Sequence, residues 1–66
     1  MKYNLKFKDI DETREFKETL TIKDVLAELG LSAQTVVAKQ NGELAIEESP
    51  IEDGDDIQLI QIIYGG

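Results

Sequence analysis

One stretch of this chain repeats with a helical period, and it is short. Ile22, Val25, Leu26 and Leu29 fall at i, i+3, i+4 and i+7, which is one face of an α-helix. Both ends of that stretch are marked. Thr21 stands at the N-cap with Asp24 three residues on, a capping-box pattern in which Asp replaces the usual Glu or Gln. Leu20 and Val25 occupy the staple positions around the cap, Gly30 can take the left-handed C′ conformation, and Leu31 can fold back on the last turn. The spacing predicts a helix over Ile22–Leu29. So short a helix is unstable alone and must bury its apolar stripe on something else. It can cover only one face of a sheet, so a chain of 66 residues built around it is expected to be one α+β domain.

The rest of the chain supplies the sheet. Lys2 to Phe7 alternates polar and apolar residues, placing Tyr3, Leu5 and Phe7 on one face of a strand. Lys8 to Thr13 reads as a polar turn, and Arg14 to Lys17 as a second strand with Phe16 on the buried face. Thr35 to Gln40 is rich in β-branched residues and is followed by Asn41-Gly42, the dipeptide of a type I′ turn, with Glu43 to Ile46 as the return strand. An acidic loop over residues 47–56 holds Pro50, an apolar anchor at Ile51 and a turn at Asp53-Gly54-Asp55. The last strand spans Asp56 to Ile63 and leads into Tyr64-Gly65-Gly66.

Composition removes whole classes of function. The chain has no Cys and no His, so it holds no disulfide, thiolate nucleophile or imidazole base. A chain this size buries about 60% of its unfolded surface, too little core to hollow out a substrate cleft. A catalyst acting alone is therefore not expected. Fourteen acidic against seven basic side chains give a net charge of -7, which disfavours nucleic acid and anionic membranes. The acidity fits partners with basic surfaces, and equally fits a protein that is acidic for solubility. No apolar run approaches the ~20 residues of a membrane span, and the first residues lack a signal-peptide pattern. The expected setting is cytoplasmic, with the chain as a monomer. Asp53, Asp55 and Asp56 lack the spacing and terminal Glu of a calcium loop, and a turn accounts for them. No metal site is expected.

Two features at the end of the chain are not required by folding. In the last strand Ile57 and Leu59 form the natural inward pair, which sends Ile60, Ile62 and Tyr64 to the opposite face. With one helix available that face is open, and grouped apolar residues there suggest a contact patch. A strand buried on both faces would read the same way. Gly65-Gly66 adds nothing to a core and can extend through a narrow channel to present its carboxylate to another protein's active site. A frayed terminus is the plain alternative.

Over all 66 residues, in length and element order, the chain resembles the ubiquitin-like sulfur carriers of the ThiS and MoaD group and the small archaeal modifier proteins. The resemblance is sharpest in Ile51-Glu52-Asp53-Gly54-Asp55-Asp56-Ile57, the apolar strand after it and Gly65-Gly66. It implies a β-grasp fold with one helix on one face of a mixed four- to five-stranded sheet, first and last strands parallel at its centre. Residues 1–63 would form this domain and 64–66 a flexible diglycine tail. It further implies an E1-like enzyme that uses ATP to adenylate Gly66, with Gly65 threading the channel and Ile60, Ile62 and Tyr64 meeting the enzyme. No cofactor would be bound by the chain itself. A persulfide donor would then yield a thiocarboxylate for thiamin, molybdopterin or tRNA thiolation chemistry. A lysine amine on a target protein would instead yield an isopeptide bond, and a plain non-covalent module would ignore the tail. Glu47, Glu48, Glu52, Asp53, Asp55 and Asp56 could steer docking to a basic surface or serve as a solvated charge run.

Overall fold

The computed structural model describes residues 1–62. Its elements are β1 (Lys2–Phe7), β2 (Ile10–Glu15), β3 (Leu20–Thr21), α1 (Ile22–Leu29), β4 (Val36–Gln40), β5 (Glu43–Ala45), β6 (Pro50–Ile51) and β7 (Asp56–Gln61). Five of the strands form one sheet in the order β2-β1-β7-β4-β5. β1 and β7 run parallel at the centre, with Leu5 opposite Ile57, and the other pairs are antiparallel. The sheet is mixed, and α1 is the one helix among the described residues.

The helix forms where its caps direct. The Thr21 hydroxyl accepts from the Asp24 amide at 3.3 Å, and the Asp24 carboxylate accepts from the Thr21 amide at 3.0 Å. Asp is long enough to close the box. At the other end Gly30 sits at φ 71°, its amide donates to Ala27 and the Leu31 amide donates to Leu26, which is a Schellman closure. Ile22, Val25 and Leu26 are buried against Tyr3, Leu5 and Phe7 of β1, Ile57 and Leu59 of β7, and Val36 and Ala38 of β4. Leu5, Ile22, Val25 and Ile57 are each under 2% exposed. Burying such side chains contributes about 1.5–3 kcal/mol apiece.

Several strand bounds differ from expectation by one or two residues, β4 starting at Val36, β5 ending at Ala45 and β7 at Gln61, and two larger differences arise from pairing. The polar stretch after Phe7 is not a long turn. Lys8 takes φ 53°, the chain reverses over Lys8 and Asp9, and β2 starts at Ile10, opposite Phe7. Phe16 is buried as expected but lies just past the strand, where its amide bonds to the Met1 carbonyl. An edge strand with a solvated outer side needs no apolar alternation, so Asp11, Glu12 and Glu15 fit it as charges that discourage edge pairing. The second difference is a two-residue ladder, Leu20 opposite Ile51 and Thr21 opposite Pro50, which ties the acidic loop to the start of the helix. At Asn41-Gly42 both φ angles are positive, 55° and 86°, as a type I′ turn demands.

Candidate functional site

The site is built outward from β7. β7 pairs with β1 over Asp56–Gln58 on one side and with β4 over Ile57–Gln61 on the other. Its pleat turns Ile57 (1% exposed) and Leu59 (3%) under the helix and leaves Ile60 41% exposed on the uncovered face. Beyond Gln61 the Ile62 amide donates to the Thr35 carbonyl at 2.8 Å, so contact with the β4 side persists, and Ile62 is half-buried. Tyr64, Gly65 and Gly66, and the domain limit at Ile63, lie outside the described residues.

Register shows what shares the uncovered face. Val37 stands opposite Ile60, Lys39 opposite both Gln58 and Leu44, and Lys6 opposite Gln58. Residues directly opposite project to the same face. One flank of that face sets Val37 beside Ile60, with Lys39 in the next row between Gln58 and Leu44, which is 74% exposed. The other flank is polar: Thr13 Oγ1 donates to Asn4 Oδ1 and Asn4 Nδ2 donates to Asp56 Oδ1, each at 2.8 Å, a ladder across β2, β1 and β7. The expected patch named Ile60, Ile62 and Tyr64, the last outside the described residues, and missed Val37 and Leu44. The turn at Asn41-Gly42 carried the missing signal, because it fixes Leu44 opposite Lys39.

The acidic loop divides into different roles. Asp55 is 8% exposed and is not a steering charge on the surface. Its carboxylate accepts from Gln40 Nε2 at 2.6 Å, from the Glu52 amide at 2.8 Å and from Asn41 Nδ2 at 2.9 Å. Burial by itself pushes the Asp55 carboxyl up, but the bonds from Glu52, Asn41 and Gln40 outweigh it and hold the group below its ordinary value of 3.8. Asp53 accepts from the Lys2 amide at 2.7 Å. Gly54, at φ 87°, donates its amide to the Lys2 carbonyl, and the Asn4 amide donates to the Asp55 carbonyl. The loop is thus fastened to β1 and to the β4–β5 turn, and it sets the start of β7. Glu48 and Glu52 remain in solvent and Glu47 is half-buried. Among the described residues no group of three or more Asp or Glu side chains is placed to hold a metal ion. Tyr3 packs edge-on against Phe16 at 5.8 Å, and burial raises its phenol, a structural placement in the core. No described helix is long and apolar enough to cross a membrane.

This geometry has known counterparts. Sulfur carrier protein TtuB from Thermus thermophilus is 36% identical over 52 residues, covering 79% of this chain and 80% of TtuB. A thiazole synthase from Paramagnetospirillum magneticum is 30% identical over 59 residues, which span 83% of this chain and 18% of that protein. Among solved structures, the thiamine biosynthesis protein ThiS from Geobacter metallireducens superposes with a TM-score of 0.70 at 24% identity, over the whole of both chains. SAMP1 from Haloferax volcanii superposes with a TM-score of 0.68 at 20% identity, over 98% of this chain and 97% of its own. These two likenesses establish the β-grasp fold. The model of the ThiS family matches residues 1–66, from the strand that opens the sheet to the final glycine, and with the TtuB likeness it makes the chain a member of the ThiS family.

Proposed function

We propose that this chain is a sulfur carrier whose reactive group is the carboxylate of Gly66. The observation that carries the reading is β7: a central strand held by β1 at its start and by β4 to Gln61, with Ile60 open on one face, whose sequence runs on into Tyr64-Gly65-Gly66. Such a strand is a rigid handle for the chain end. An E1-like enzyme docks on the open face, through Ile60 and Ile62 with Tyr64 beside them, and receives Gly65-Gly66 in its channel. A Gly66 carboxylate oxygen attacks the α-phosphorus of ATP and pyrophosphate leaves, giving the acyl-adenylate. The terminal sulfur of a persulfide donor attacks that carbonyl and AMP departs with its bonding electrons. A thiol then cleaves the resulting acyl disulfide, leaving the thiocarboxylate here and a disulfide on the donor side. The chain's own contribution is its terminal carboxylate, the nucleophile of the first step; no side chain of the domain acts as base or nucleophile, in keeping with a sequence that lacks Cys and His.

The test is reconstitution with an E1-like adenylating enzyme, ATP and a persulfide donor. The expected result is ATP–pyrophosphate exchange that depends on this chain, and an intact mass in which one sulfur replaces one oxygen. Deleting Gly65-Gly66 should abolish both signals without altering the amide spectrum of the domain. Full activity in the truncated chain would overturn the proposal. An isopeptide-linked lysine in place of the thiocarboxylate would reassign the chain as a protein modifier.

A further inference from the structure

The helix side of the sheet carries a second surface, unconnected with Ile60. Where α1 passes the β4–β5 edge, a groove of about 320 Å³ opens. Ile22 and Leu26 of α1 and Val36 and Ala38 of β4 form its floor, and Ala45 and Ile46 form a wall. Ile46 is 69% exposed, a large apolar side chain at a place where none of the described segments covers it. The wall is braced. The Lys23 amide donates to the Glu47 carbonyl at 2.8 Å, the Ile22 amide to the Ser49 carbonyl at 3.1 Å, and the Ser49 amide to the Ile46 carbonyl at 3.0 Å. The first-turn amides of α1, which lack partners within a helix, thus hold the wall at a fixed distance from the helix. An apolar groove with braced walls is ready-made for a ligand, because little ordering is left to offset on binding.

Charge selects the occupant. Glu47 and Glu48 form the rim, and Glu43 stands at the start of the adjoining edge strand. A second copy of this chain would bring the same carboxylates and a net charge of -7, and is disfavoured. β5 is the end strand of the sheet, so its outer backbone groups face away from any neighbour in the sheet. We propose that this groove binds an extended segment of a partner protein, adding beside β5, with one or two aliphatic side chains seated against Ala45 and reaching toward Leu26, and Lys or Arg residues flanking them toward Glu47 and Glu48. The groove lies across the sheet from Ile60, so it can be occupied while the open face is engaged. The inference does not rest on the chemistry of Gly66.

A peptide amide of sequence Lys-Lys-Ile-Ser-Val-Lys-Lys, titrated into the full isotopically labelled chain, tests it. Saturable shifts are expected at the amides of Leu26, Ala45, Ile46 and Glu47. Ile46→Lys, at an exposed position that folding does not need, should weaken the peptide about tenfold or more, equivalent to ~1.4 kcal/mol. Glu47→Lys with Glu48→Lys should do likewise, whereas Ile60→Asp should leave binding unchanged, and the peptide with Glu in place of each Lys should not bind. The proposal is overturned by an absence of saturable shifts, by shifts centred on Val37 and Ile60, by binding indifferent to Ile46→Lys, or by shifts that follow protein concentration without peptide and so report self-association.

Discussion

Asp55 shows how little the type of a residue says about its role. In a loop of carboxylates it is the one turned inward, where three donors meet it. Those donors cannot simply reverse: Gln40 Oε1 already accepts from Ser49 Oγ, and Asn41 Oδ1 accepts from the Asp56 amide. Asp55→Asn would therefore set an amide NH₂ against fixed donors, and should lower stability by about 1–3 kcal/mol in urea titration. The pH dependence has a definite sign. The folded-state carboxyl titrates below the ordinary 3.8, so its contribution is complete above that value and is lost as pH falls through the folded value. Asp55→Asn should remove that part of the acid-induced loss, giving a flatter stability profile below pH 3.8 than the wild-type chain shows.

Among the elements, β7 divides its side chains between the covered core and the open face on which docking is proposed. Ile57→Asp would destroy the core, but Ile60→Asp changes a residue on the open face. It should lower the unfolding free energy by less than about 1 kcal/mol. If the proposed docking holds, the same substitution should lower kcat/KM for adenylation by about tenfold or more, ~1.4 kcal/mol, by placing a charge on that face. A collapsed fold in Ile60→Asp would show the residue to be core instead. This alternation was legible in the sequence because a central strand under a single helix must divide its residues between a covered and an open face. The caps of α1 were legible because Thr21, Asp24 and Gly30 act locally, and Asn41-Gly42 because the turn needs two positive φ angles. Other features were hidden because they depend on partners distant in sequence. β2 has no apolar rhythm and is a strand only through β1; the Leu20–Ile51 ladder is too short to have a period. The groove beside Ile46 comes from the meeting of α1 with the β4–β5 edge, which no segment encodes alone.

At the scale of the whole molecule, everything converges on a small core. At ~0.05–0.15 kcal/mol per residue, a domain of this length holds about 3–10 kcal/mol of stability in total. Leu5 is fully buried beside Ile57 on the central parallel pair, and Leu5→Ala should cost about 2–5 kcal/mol. Calorimetry should therefore find that variant partly unfolded near room temperature or melting far below the wild type. The parallel pairing has a mechanical consequence as well. Because Asn4 is level with Asp56 and Lys6 with Gln58, the start of β1 and the end of β7 lie at opposite ends of the sheet. A pull applied between Lys2 and Gln61 loads the hydrogen bonds joining these strands in shear, all at once, where an antiparallel pair pulled from the same side would unzip them singly. A pull on the chain beyond Gln61, with the start of β1 held, would therefore load these bonds in shear and not peel them one by one.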